Sequence, residues 1–124
     1  EDVNSIVKIL AENLGDAFNN TLILTLTEFG RTIKQNGGNG TEHGWGGAIL
    51  MAGGLIKKSQ AYTDWPGLKK KQLFEGRDLM STLDARAVYN AAMSVCFDID
   101  PEQLRRDVFW KDDLPNLTES LFKV

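Results

Sequence analysis

Three residues of this chain have types and spacing that could do chemistry together: Glu28, Arg31 and His43. Glu28 directly follows the apolar run Thr21–Thr27, and His43, the sole histidine, lies just before a second apolar run, Ala48–Ala52. If those runs are neighbouring parallel strands, their facing ends bring a carboxylate and an imidazole together, a reasonable ligand pair for zinc or manganese. Two ligands do not make a site, because a closed one needs about four. The same residues also fit a plainer arrangement, with a Glu28–Arg31 surface pair and a loop histidine held by hydrogen bonds. Arg31 lies one residue beyond Gly30, where a guanidinium could clamp phosphate or sulfate bidentately. It could equally tie down the loop through carbonyl contacts.

The elements that must position these residues can be read from periodicity. Val3, Ile6, Val7, Leu10 and Leu14 form one helical stripe, with Asp2 or Asn4 to cap its start and Gly15 its end. A turn is expected over Asp16–Asn20. Thr21–Thr27 alternates Leu22, Leu24 and Leu26 with Ile23 and Thr25, so both faces are apolar, as in the inner strand of a covered sheet. Residues 30 to 47 hold seven glycines, which predicts a loop with positive-φ positions or close backbone approaches. Ala48–Ala52 reads as a strand ended by Gly53-Gly54, Leu55–Tyr62 as a short strand or hairpin arm, and Thr63–Gly67 as a turn.

Further on, Ser81-Thr82-Leu83-Asp84 is a capping-box pattern opening a second helix whose stripe is Leu83, Ala87, Val88, Ala91, Ala92 and Val95. Asp100-Pro101 starts a short third helix through Arg106. The tail from Val108 to Val124 mixes aromatics, Pro115 and polar residues, and is expected to pack irregularly.

At 124 residues the chain fits a single domain, 1–124. A hydrophobic content of 42% and a charged content of 25% argue against wholesale disorder. The net charge of −3 gives no reason to expect nucleic acid, and Lys69-Lys70-Lys71 reads as a solvated turn. Cys96 has no partner for an intrachain disulfide and reads as a small buried hydrophobe. No apolar run approaches the roughly 20 residues of a membrane span. Without an initial Met or a signal peptide, the sequence reads as a mature or excised piece.

Several catalytic patterns are missing. Gly53-Gly54 with Lys57 and Lys58 does not make a P-loop, and no nucleophile elbow appears. Any Ser-His-Asp triad would have to use His43. Arg77-Asp78 and the Asp84, Arg86 pair read as structural ion pairs.

The stretch Asn20–Thr32, NTLILTLTEFGRT, resembles the C-terminal part of an uncharacterised bacterial family of exported, often twin-arginine-signalled proteins of the alkaline phosphatase and sulfatase superfamily. The resemblance continues through Gly40-Thr41-Glu42-His43-Gly44, Ala52-Gly53-Gly54, Asp64–Leu68, Gly76–Leu79 and Thr82–Val88 to Val108-Phe109, covering nearly the whole chain. In that superfamily a strand ends in Asp-His-Gly or Asp-Asn-Gly, whose first two residues bind metal, and a later His binds a second metal. The resemblance implies Glu28 in the Asp position, Phe29 in the His/Asn position, Gly30 in the Gly position and His43 as the later His. Phe29 has no ligating atom, Glu28 reaches one methylene further than Asp, and Glu42 is an alternative ligand. Thr27 and Thr41 are secondary candidates.

The fold it implies is α/β: the C-terminal fragment of an alkaline phosphatase-like, mostly parallel sheet covered by helices. The function it implies is a fragment of a metal-dependent phosphate- or sulfate-ester hydrolase using zinc, manganese or calcium. The nucleophile belongs to an N-terminal half that this chain lacks, so the fragment alone is expected to be inactive. Its partners would be that missing half and, through exposed apolar edges, a second copy. Its setting would be periplasmic or exported. The alternative is a non-catalytic binding or structural protein that keeps the superfamily sheet.

Overall fold

The computed structural model describes residues 2–124. The chain divides into two compact units. The first takes the chain through Thr25 together with Leu50–Gln60 and Ala85–Val124, and the second takes Leu26–Ile49 and Ala61–Asp84.

In the first unit, helix α1 spans Val3–Leu14 as its stripe predicts. The Asp2 carboxylate caps it by accepting from the Ser5 backbone N–H at 2.9 Å. That bond, followed by one from the Ser5 hydroxyl, holds the carboxyl below its usual pKa of 3.8. Gly15 ends the helix at φ 52°. The residues after it, read as a turn, continue as a 3₁₀ helix, Gly15–Asn20. Strand β1 (Ile23–Leu24) pairs antiparallel with the later strand β4 (Met51–Ala52), with Ile23 opposite Ala52 and Leu24 opposite Met51. Thr25 N–H donates to the Leu50 carbonyl at 2.9 Å, and the Leu50 N–H donates to the Thr25 hydroxyl at 2.8 Å. The first strand is therefore much shorter than Thr21–Thr27, and Ala48–Ala52 shrinks to its last two residues.

Helix α2 (Ala85–Phe97) buries Ala87, Val88, Ala91 and Ala92, small residues that let neighbouring segments approach closely. Its buried Asn90 donates through Nδ2 to the Pro101 carbonyl at 2.9 Å. Helix α3 (Pro101–Leu104) starts there, with Asp100 accepting from the Glu102 N–H at 2.9 Å and Pro101 in the first turn. A π-helical turn, Arg105–Phe109, follows and closes on Trp110 at φ 49°. Helix α4 (Thr118–Leu121) completes the unit. The tail packs irregularly as expected, with a single helical turn, and it supplies much of the core: Leu114, Leu117, Leu121 and Phe122 are buried, as are Leu104 and the α2 alanines. Of Leu55–Tyr62, only Ile56 makes a bridge, antiparallel to Phe122. Cys96, read as buried, is exposed.

In the second unit, the glycine-rich stretch read as a loop is an antiparallel hairpin of β2 (Gly30–Gln35) and β3 (Thr41–Gly44). Asn36 builds its turn, since the side-chain Oδ1 accepts from the Gly38 and Gly40 N–H groups, both at 3.0 Å. The open edge of β2 receives Arg77–Leu79: Ile33 N–H donates to the Arg77 carbonyl and Leu79 N–H to that of Arg31. That segment returns from Phe74 through a tight turn with both central residues, Glu75 (φ 51°) and Gly76 (φ 67°), in the left-handed region. The Arg77 N–H closes the turn on the Phe74 carbonyl at 3.1 Å, the geometry of a type I′ hairpin. Asp78 is buried, with both carboxylate oxygens held by the Arg77 guanidinium, at 2.5 and 3.1 Å. This is the structural ion pair expected, and it raises the Arg77 pKa above its ordinary value, mainly through the hydrogen bond to Asp78. A 3₁₀ turn at Lys70–Gln72 carries the lysine run, and Thr63–Gly67 is irregular rather than a turn.

The mostly parallel, helix-covered sheet is overturned. The described residues form two two-stranded antiparallel sheets with four α-helices and no parallel pairing. The two runs expected as parallel neighbours pair antiparallel instead, and the cause is how the connection between them folds. Parallel neighbours need a crossover of a dozen or more residues, usually helical. The chain after Gly30 instead reverses within the short Asn36–Gly40 turn and pairs with itself.

Candidate functional site

The candidate residues gather on the β2–β3 hairpin because its glycines let three backbone segments meet. A Cβ on Gly30 would run into the carbonyls of Trp45 and Gly46, and one on Gly44 would lie 2.5 Å from the Arg31 backbone. One on Gly46 would sit 2.6 Å from the Leu79 carbonyl oxygen. Arg31 N–H donates to the Gly46 carbonyl and Gly46 N–H to that of Leu79, both within 2.9 Å. None of these three glycines has positive φ, so they serve close approach rather than turning.

Register then sets which side chains share a face. Gly30 opposes Gly44, Arg31 opposes His43, and a bulge intervenes before Gln35 opposes Thr41. Directly opposed residues in an antiparallel pair project to the same side with Cβ atoms about 5 Å apart. Arg31 and His43 are both exposed, flanked on β2 by buried Gly30 and Thr32. In the bulge the Glu42 N–H donates to the Thr32 hydroxyl at 3.1 Å in place of a strand partner.

The His43 imidazole stacks on the Phe29 ring, with centroids 4.1 Å apart and planes 8° from parallel. Stacking occupies a ring face, whereas a histidine ligates through in-plane nitrogen lone pairs, so the contact fixes the plane without covering the donors. Phe29 is held in turn by Thr27, whose hydroxyl donates to the Phe29 carbonyl at 3.1 Å. Arg31 Nη1 donates to the Thr41 carbonyl at 3.3 Å, the loop-tying contact read as one of its two roles. Glu42 accepts from Asn36 Nδ2 at 2.7 Å. Glu28 is exposed, and among the described residues it has no ion pair with Arg31.

The hairpin therefore brings Arg31, His43, Thr41 and Phe29 together and engages Glu42 elsewhere. No metal centre is assembled among the described residues. Among the described residues no group of three or more His, Cys, Asp or Glu could hold an ion, and zinc sites take three or four protein ligands. As an anion site the hairpin is better supplied, with a guanidinium beside an imidazole on an exposed face. Asn36 and the stacking of Phe29 on His43 are what sequence reasoning missed. Asn36 was signalled by the glycines that follow it, whereas the Phe29 stack depends on a register that no local pattern encodes.

No curated protein and no solved structure matches the chain. One family model does match, over residues 1–103, and it describes a protein of unknown function. The chain, with its glycine-packed hairpin, belongs to the DUF1501 family.

Proposed function

We propose that this chain carries the anion-recognising part of a metal-dependent phosphate- or sulfate-ester hydrolase-like protein. The observation that carries this reading is the cross-strand register placing Arg31 directly opposite His43 on the exposed side of the hairpin. Arg31 would hold the ester oxygens with the guanidinium donors left beyond its single bond to the Thr41 carbonyl. His43 and Glu28 would be ligands to zinc, manganese or calcium, completed by residues outside these 124. When bound, such a metal polarises the ester and activates a nucleophile. The resemblance of the EFGRT and GTEHG stretches to the alkaline phosphatase and sulfatase superfamily supports the reading, and with it goes a periplasmic or exported setting.

The second reading is a non-catalytic binding protein. It is favoured by the committed polar groups, Arg31 on the Thr41 carbonyl and Glu42 on Asn36, which make the hairpin internally satisfied.

Elemental analysis of the longest natural product of the gene, beside its His43→Ala form, separates the two. Stoichiometric divalent metal that falls in His43→Ala supports the hydrolase reading and opens ester substrates to screening. No bound metal in any form after metal-supplemented preparation leaves the binding protein.

A further inference from the structure

The second unit holds a pocket that shares no residue with the Arg31/His43 face. It has a volume of about 570 Å³ and lies between Ile33-Lys34 of β2, the segment around Leu68, Lys70 and Leu73, and the Glu75–Arg77 turn. Sites for small molecules typically run from roughly 300 to 1,000 Å³, apolar within and with a few placed polar groups. The apolar wall here is Ile33, Leu68 and Leu73. Leu73 is buried, while Leu68 is 52% exposed, leaving an apolar surface for a ligand to cover.

The rim is basic in a chain whose net charge is −3: Lys34, Lys70 and Arg77 face one acid, Glu75. Arg77 is neutralised by Asp78. Lys34 and Lys70 have no ion-pair partner among the described residues. Their charge exceeds that of Glu75 and is available to a ligand.

Hydrogen bonds and close packing define the walls. Gly76 at φ 67° lies under the Lys70 stem, because a Cβ there would meet Lys70 Cε at 3.3 Å and Cγ at 3.4 Å. Lys70 thus lays its methylenes on the turn while its ammonium stays at the rim. Lys69 and Gln72 close a reciprocal box, with Gln72 N–H donating to the Lys69 carbonyl at 2.7 Å and Lys69 N–H to Gln72 Oε1 at 3.0 Å. Gly67, at φ 91°, gives the Gln72 amide its room, since a Cβ there would sit 2.7 Å from it.

We infer that this pocket binds a small anionic amphipath. Its sulfate, sulfonate, phosphate or carboxylate head would lie between the ammonium groups of Lys34 and Lys70, and its apolar body against Leu68, Leu73 and Ile33. The inference is independent of the metal reading. A basic rim alone would take any anion and an apolar wall alone any hydrophobe, so the pairing of the two requires both parts in one ligand.

The test uses the full chain and 1-naphthalenesulfonate, followed by backbone amide shifts and calorimetry. Naphthalene-1-methanol and inorganic phosphate serve as probes of each part alone. Saturable binding of the sulfonate is expected, with shifts centred on residues 33–34 and 68–77. Affinity should fall at least tenfold in the Lys34→Gln/Lys70→Gln variant and also in Leu68→Ser. Each single-part probe should bind more weakly than the sulfonate. Shifts at the pocket residues, set against those at 31 and 43, separate this result from the hydrolase reading, and shifts confined to 31 and 43 overturn the pocket. No saturable binding, equal binding by the neutral alcohol, or full affinity in the double lysine variant overturns the proposal.

Discussion

Adding one methyl group to a glycine tests what that glycine is for. At Gly30 and Gly44 the new carbon would meet backbone atoms, which cannot swing aside as a side-chain tip can. Gly30→Ala and Gly44→Ala should each cost about 1–3 kcal/mol as overpacking and disturb the Arg31–His43 register. Gly37 has open space around its missing Cβ and no positive φ, so Gly37→Ala should be neutral or stabilising by up to about 1 kcal/mol. Urea unfolding of the three variants checks this, and equal effects at all three would return the segment to an unstructured loop. Sequence alone makes the seven glycines equivalent, because close approach depends on Trp45, Gly46 and Leu79, which reach them only through tertiary pairing. Phe29 is legible in the same limited way. Its lack of a ligating atom is plain from its type, but its stack on His43 is not. Phe29→Ala should shift the His43 ring resonances while Phe29→Tyr keeps them, at a stability cost of about 0.5 kcal/mol for so exposed a pair. Unchanged His43 resonances in Phe29→Ala would remove the stack from the account.

Elements were legible where local chemistry decides them. Helix α1 has a stripe, a capping carboxylate and a terminal glycine, and all three agree with its observed limits. Its cap makes a pH statement. Because the folded Asp2 pKa lies below the usual 3.8, the stabilisation is complete above that value and is lost as pH falls through the folded pKa. Amide exchange at Ser5 should therefore accelerate below about pH 3.8 beyond its intrinsic rate, and Asp2→Asn should keep the cap while abolishing that pH dependence. Strands were legible only as propensity. Thr21–Thr27 is β-prone throughout, yet a strand extends only as far as its partner, and β4 offers two residues. Leu26 consequently stands 75% exposed. The irregular packing of the C-terminal tail was legible in its mixed composition, but its share of the core was not. Leu114, Leu117 and Leu121 stand at helical spacing, yet only a single turn forms after Pro115, and Phe122 reaches the core through its bridge to Ile56. Phe122 is wholly buried, so Phe122→Ala should cost about 3–5 kcal/mol in urea unfolding, far more than a tail lying on the surface would allow.

For the molecule as a whole, the open question is what covers its apolar surface. Helix α1 has no fully buried residue: Val7 and Leu10 are partly covered, while Val3, Ile6 and Ile9 form a second, exposed stripe. An isolated amphipathic helix buries one face and solvates the other, so a second apolar stripe signals a further partner. The strands β1 and β4 point the same way, since each leaves one edge unpaired among the described residues. In an antiparallel pairing of two α1 helices about Ile6, Val3 of each would face Ile9 of the other, so the apolar stripe is self-complementary. We infer that the isolated chain pairs with a second copy through this stripe, a twofold arrangement in which the same patch serves both molecules. Light scattering at micromolar concentration should give a dimer that dissociates on dilution. Ile6→Lys/Ile9→Lys, which alters only exposed positions, should give a folded monomer with unchanged helix content. A monodisperse monomer for the unaltered chain would overturn the pairing, and a dimer that survives the double lysine change would move the interface from α1 to the strand edges.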